Sequence, residues 1–188
     1  MKIYIWPASP KNAYDVSIYR NAEDTRLHLN DCSLFSAEQT EKWLENLPKG
    51  SERYAVYADL EEGPHEISSA LEGTSVAFVG FVRIDRIDET NRNLYIGLDL
   101  VQSVRGKGLT KLIYQWMLDY FFYHKNFNAA YLEVLETNEH AFSIYKKLGF
   151  KIDGLLPARV FRYGKYINVV HMSLLRDDWQ VIKQMGGL

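Results

Sequence analysis

The stretch Leu98-Asp99-Leu100-Val101-Gln102-Ser103-Val104-Arg105-Gly106-Lys107-Gly108-Leu109-Thr110 has the residue types to hold a phosphate. It reads as a buried strand, a glycine-broken turn and the opening of an amphipathic helix. Leu109, Leu112, Ile113, Trp116, Met117, Tyr120 and Phe121 then recur at the i, i+3, i+4 spacing of a helix with one buried face. The turn therefore lies at a helix N-terminus, where unpaired backbone N–H groups and the positive end of the helix dipole converge. Gly106 and Gly108 put no side chain in the path of an anion, and Arg105 and Lys107 add positive charge. Taken alone the signal is weak, because a glycine pair also serves as a tight entry into a helix. Its spacing is neither the Gly-x-x-x-x-Gly-Lys-Ser/Thr of a nucleotide loop nor the Gly-x-Gly-x-x-Gly of a dinucleotide fold.

The elements that must position this turn follow from periodicity. Lys2 to Trp6 alternates as a short strand, and a helix is expected over Ala13 to Leu27. Ser36 with Gln39 forms a capping-box pair that opens a helix through Leu47, stopped by Pro48 and Gly50. Arg53 to Leu60 and Ser75 to Ile87 read as strands, with the polar run Asp88 to Arg92 as a hairpin turn into a strand at Asn93 to Val101. The amphipathic helix runs to about Lys125, followed by a strand over Ala129 to Leu135 and a helix from Asn138 to Leu148 that ends at Gly149. Strands over Phe150 to Tyr163 and Tyr166 to Leu175 join through Gly164-Lys165, and the tail from Arg176 either frays or forms a short helix. Antiparallel strands followed by strand-helix-strand-helix and a hairpin imply an α/β (α+β) fold. Its mixed sheet has about seven strands with helices on both faces.

Composition limits the function classes. The chain of 188 residues is 47% hydrophobic and 14% aromatic, enough for one sizeable core, and residues 1–188 are expected to form one domain. A net charge of −2 argues against nucleic acid as a ligand, because such affinity comes from clustered Lys and Arg. Cys32 is the single cysteine, so no internal disulfide or cysteine-based zinc cluster can form. The N-terminus lacks the apolar stretch of a signal peptide, and no run of about 18 apolar residues exists, so no membrane association and a cytoplasmic location are expected. Glu61 to Gly73, polar and broken by Gly and Pro, reads as a loop. Its acids, with Asp59, suit either a solvated surface or attraction of a polyamine.

The order of strand, Arg-Gly-Lys-Gly turn, long helix, strand and Asn-headed helix resembles the GNAT superfamily of acyl-CoA-dependent N-acetyltransferases. Arg105 to Thr110 fits that family's pyrophosphate loop, Gln/Arg-x-x-Gly-x-Gly/Ala. Leu132-Glu133-Val134, Asn138, Ala141, Tyr145 and Lys147-Leu148-Gly149-Phe150 fit its second block. The likeness covers about residues 75 to 175 well and the first 60 more loosely. Within the superfamily, Phe161-Arg162-Tyr163-Gly164-Lys165-Tyr166, Tyr19 to Asp24 and Lys42-Trp43-Leu44 resemble the branch of ribosomal-protein N-terminal, spermidine and amino-sugar acetyltransferases. Two positions depart from the pattern. Thr110 stands where Gly or Ala is usual, and its hydroxyl can bond a phosphate or cap the helix. Gln102 replaces a common proline.

The resemblance implies acetyl-CoA as co-substrate, no metal, and a primary amine as acceptor, either a polyamine, an amino sugar or a protein N-terminus. Acetyl transfer to an amine needs a neutral nucleophile, stabilisation of an oxyanion and a proton for the departing thiolate. The family's two central parallel strands splay, which assigns thioester polarisation to the main chain of Leu98, Asp99 and Leu100. The same likeness assigns the pyrophosphate to Arg105, Gly106, Lys107, Gly108, Leu109 and Thr110. Asn138 would bond the pantetheine arm as well as cap its helix, and Tyr145 becomes the candidate general acid. Glu133 is the candidate base, with Asp99 the remaining nearby acid, its direction unsettled by an expected bulge. A noncatalytic CoA-binding module is the alternative, and a homodimer is a fair expectation for either.

Overall fold

Seven runs rich in Tyr, Val, Ile and Phe pair into one mixed sheet, as their period-2 patterning requires. The structure, a computed structural model, describes residues 2–29, 31–60 and 76–186. The strands are β1 (Ile3–Pro7), β2 (Glu52–Asp59), β3 (Val76–Asp88), β4 (Asn93–Leu100), β5 (Ala129–Leu135), β6 (Lys151–Arg162) and β7 (Lys165–Leu175). Their order is β1-β2-β3-β4-β5-β7-β6, and every neighbouring pair is antiparallel except β4 and β5. The expected loop over Glu61 to Gly73, with Glu61, Glu62 and Glu66, lies outside the described residues.

Helices α1 (Ala13–Asn21), α2 (Glu23–Arg26), α3 (Ala37–Glu45), α4 (Leu109–Asp119), α5 (Glu139–Lys147) and α6 (Arg176–Gln184) cover both faces. Leu94, Ile96, Leu132 and Met172 pack against Ile113 and Met117 of α4 and Trp179 of α6. On the opposite face Tyr57, Phe78 and Phe81 meet Val16 and Tyr19 of α1 and Leu44 of α3. This second core includes no residue of β4 to β7; on that side Leu135 of β5, Val160 of β6 and Val169 of β7 form a third, smaller cluster, beside which Tyr95, Glu133 and His171 carry polar groups.

Two expectations about the helices change, and of the two alternatives for the tail the short helix is the one that forms. The helix predicted over Ala13 to Leu27 breaks at Ala22, which is extended (ψ 130°). Asn21 bonds both the N–H and the C=O of Phe35, turning the chain away from the helix axis. The long helix is α-helical only to Asp119 and continues as one π turn over Tyr120–His124, a widening that buries both Phe121 and Phe122. The tail does not fray: Trp179 is fully buried, and its indole N–H donates to Asp119 at 2.9 Å. No helix among the described residues is long and apolar enough to cross a membrane.

Candidate active site

β4 and β5 are hydrogen-bonded only where Asn93, Leu94 and Tyr95 lie beside Ala129, Ala130 and Tyr131. Beyond Tyr95 the strands part, and the gap opens a cleft of about 650 Å³ lined from both faces of the sheet. α2 and β3 supply one mouth, α4 and α5 the other.

The free edge of β4 follows from its pairing with β3. Val101 N–H bonds the Val79 carbonyl, and antiparallel pairs alternate. Gly97 and Asp99 therefore direct their main chain to β3, while Ile96, Leu98 and Leu100 direct theirs into the gap. The register with β3 is continuous from Tyr95 to Leu100, so the bulge expected near Asp99 is absent. The irregularity lies instead in β3 between Asp85 and Asp88, where Arg86 takes a left-handed conformation (φ 50°). Asp99 reaches the cleft wall with its carboxylate buried against Arg83, at 2.9 and 3.2 Å. That carboxylate holds the Arg83 guanidinium above its usual value.

The glycine turn lies where β4 hands over to α4. Gly106 and Gly108 are left-handed (φ 78° and 81°), and a methyl group built on either meets nothing within 4 Å. The N–H groups of Gly106, Lys107 and Gly108 bond no acceptor among the described residues, and those of the first turn of α4 are unpaired by helix geometry. The turn is thus an open, donor-lined cradle of the kind a pyrophosphate fits. Gly106 and Thr110 line the cleft; Lys107 and Gly108 do not, and Leu109 turns its side chain into the core. Arg105 is engaged elsewhere: it donates to the Leu100 carbonyl, pairs with Asp24 and bonds the Thr25 hydroxyl at 2.8 Å, tying the turn to α2.

α5 closes the other side. Asn138 caps it by accepting from Ala141 N–H at 3.2 Å, and both Asn138 and Tyr145 line the cleft. Tyr145 packs edge-on against Tyr114 and Phe150, with ring centroids 5.7 and 6.0 Å away. Burial pushes its phenol above the ordinary value, so it keeps its proton at neutral pH. Tyr114 is raised for the same reason and because Tyr145 lies beside it. Glu133 also lines the cleft, but its carboxylate accepts from Arg86 at 3.1 Å.

Sequence reading missed two features here. One is Ile96, part of the open β4 edge. The other is a polar network around Tyr95, whose hydroxyl lies 2.8 Å from Nε2 of His171, while Nδ1 of His171 lies 3.1 Å from Asp153. Tyr95 and His171 are 76 residues apart, and no local motif announces their meeting.

A family model for the acetyltransferase (GNAT) domain matches residues 3–151. The chain belongs to that family. Among its relatives, the spermidine N(1)-acetyltransferase of Escherichia coli K12 is 31% identical over 100 residues, 53% of this chain and 54% of that protein. The chain thus spans about half the length of that relative. The Vibrio cholerae spermidine N(1)-acetyltransferase is 27% identical over 135 residues, covering 68% of this chain and 78% of that protein. A crystal structure of spermidine N-acetyltransferase from Vibrio cholerae, in complex with CoA and spermine, superposes with a TM-score of 0.80 at 19% identity, over 95% of this chain and 98% of that one. The seven-stranded sheet with helices on both faces is therefore the GNAT fold.

Proposed function

We propose that this protein is an acetyl-CoA-dependent N-acetyltransferase acting on a primary amine, working as one catalytic domain. The observation that carries this reading is the cleft between β4 and β5, with the open Gly106–Gly108 cradle at one end and Tyr145 beside it. The co-substrate supplies an acetyl thioester. The N–H groups of the glycine turn and of Leu109 and Thr110 bind its pyrophosphate, and Arg105 contributes charge once it exchanges Asp24 for a phosphate. The main-chain groups of Leu98 and the N–H of Leu100 orient the pantetheine arm and polarise the carbonyl, with Asn138 bonding the arm from α5. Tyr145, whose phenol desolvation holds above the ordinary tyrosine value, gives its proton to the departing sulfur.

The names of the relatives favour a polyamine as the acceptor over an amino sugar or a protein N-terminus. Tyr54 and Tyr57 are buried and unavailable for stacking on a sugar, whereas Phe161, Tyr163 and Tyr166 are exposed on the final hairpin. A protonated phenol at the cleft wall favours turnover over simple retention of CoA. A CoA-release assay over spermidine, glucosamine, amino acids and N-terminal peptides tests the reading. Acetyl-CoA-dependent release with spermidine is the expected result. Acetyl-CoA binding without release on any amine would leave only a binding module.

A further inference from the structure

The neutral amine that attacks the thioester has no obvious source in Glu133, whose carboxylate is already engaged by Arg86. The face of β4, β5 and β7 turned away from the main core holds a better arrangement. Tyr95 is the last β4 residue paired to β5, at the fork where the cleft begins, and it lines both that cleft and a smaller cavity shared with His171. Its hydroxyl lies 2.8 Å from His171 Nε2, and His171 Nδ1 lies 3.1 Å from Asp153.

Strand geometry aims these groups at one another. His171 is paired to Glu133 on β5 and to Gly154 on β6. The β6 register shifts between Ile152 and Gly154, so Asp153 is the extra residue of a bulge, a device that re-aims a side chain. Its carboxylate turns to His171 with one oxygen and accepts from the Ser173 hydroxyl with the other, at 2.7 Å. An acceptor at Nδ1 fixes the tautomer, placing the ring proton on Nδ1 and the lone pair on Nε2. Tyr95 then donates to Nε2. The remaining groups facing the imidazole are Tyr131, tilted against it with ring centroids 5.4 Å apart, Glu133 with its partner Arg86, and Arg159 across the shared cavity.

We propose that Tyr95, His171 and Asp153 form the proton-accepting relay of the acetyl transfer, a role that rests on the N-acetyltransferase reading above. The arriving ammonium gives one proton to Tyr95 Oη as that oxygen passes its own to His171 Nε2. The N–H bond of the amine breaks, an Nε2–H bond forms, and Tyr95 ends unchanged. The imidazolium is held by Asp153 and later returns the proton to water. The logic is that of a hydroxyl-imidazole-carboxylate triad, with the hydroxyl carrying a proton instead of attacking. Tyr95 is the catalytic residue; His171 and Asp153 act through it.

The test is the pH dependence of kcat/KM for spermidine with Tyr95→Phe, His171→Asn and Asp153→Asn. Without the relay the amine must lose its proton to bulk water. Tyr95→Phe and His171→Asn are therefore expected to lose about 10²-fold at neutral pH, with the deficit shrinking as pH approaches the pKa of the amine. Asp153→Asn shows a smaller loss of the same form, and calorimetric acetyl-CoA affinity is unchanged in all three. A loss independent of pH, or a wild-type profile in Tyr95→Phe, overturns the relay while acetyl transfer stands. No turnover by the unsubstituted protein overturns both. In that protein, imidazole ¹⁵N shifts should report the Nδ1–H tautomer of His171, and the opposite tautomer overturns the relay without any variant.

Discussion

In the proposed reaction Tyr145 serves packing and chemistry together. Its ring packs between Tyr114 and Phe150, and the desolvation that comes with that packing raises its hydroxyl above the ordinary tyrosine value. Tyr145→Phe keeps the ring and removes only the proton donor. We expect kcat to fall about 10²-fold with little change in acetyl-CoA affinity. Because the phenol is raised above its ordinary 10.0, a role as acid also requires that kcat show no alkaline decline below about pH 10. A decline centred near pH 8, surviving in Tyr145→Phe, would point to a different acid. The residue was legible in sequence through its spacing from Asn138 and Leu148-Gly149-Phe150. Its neighbour Tyr114 was not, because it falls outside the apolar stripe that marks α4 in the sequence, yet the structure buries it.

At the scale of elements, local chemistry written within four residues was readable and chemistry across the fold was not. Ser36 and Gln39 form the capping box their spacing predicts: Ser36 Oγ accepts from Gln39 N–H at 3.1 Å, and Ser36 N–H donates to the Gln39 side chain at 2.9 Å. Ser36→Ala should cost about 1 kcal/mol in urea denaturation, and Ser36→Gly only a few tenths. Equal losses from both would remove the cap from the account. The break between α1 and α2 was not readable, since it depends on Asn21 meeting Phe35 fourteen residues away. That break matters to the site, because it brings Asp24 and Thr25 onto Arg105. Likewise, the bulges at Arg86 and Asp153 exist only as mismatches with a partner strand.

For the molecule as a whole, the C-terminal helix is a keystone. Trp179 sits in the core shared with α4 and β7, bonded to Asp119, and Lys183 reaches the second oxygen of that carboxylate at 2.7 Å. Trp179→Ala should cost about 3–5 kcal/mol, read from urea denaturation, and a loss under 1 kcal/mol would mean the tail is dispensable. Stability should also fall in alkali. Burial raises Tyr19, Tyr54 and Tyr114 above the ordinary tyrosine value. A raised pKa means that the native state holds a proton the unfolded chain releases once pH passes 10.0, so this stability is present below that point and lost above it. Each such group contributes a slope of about 1.4 kcal/mol per pH unit. Urea midpoints should be level to about pH 9 and then drop steeply, with a shallower drop in Tyr19→Phe.

What the sequence determined by itself was most of the elements and the local motifs from which the proposed donor site is built. Gly106, Gly108, Asn138 and Tyr145 lie within local motifs, because helix starts and caps are built from neighbours a few residues apart. Tertiary structure alone decided which edges and faces those elements share. It parted β4 from β5 beyond Tyr95, gave Asp99 to Arg83 and Glu133 to Arg86, and carried His171 and Asp153 to Tyr95. Sheet pairing brings together residues from distant strands, and their register is set by the whole core.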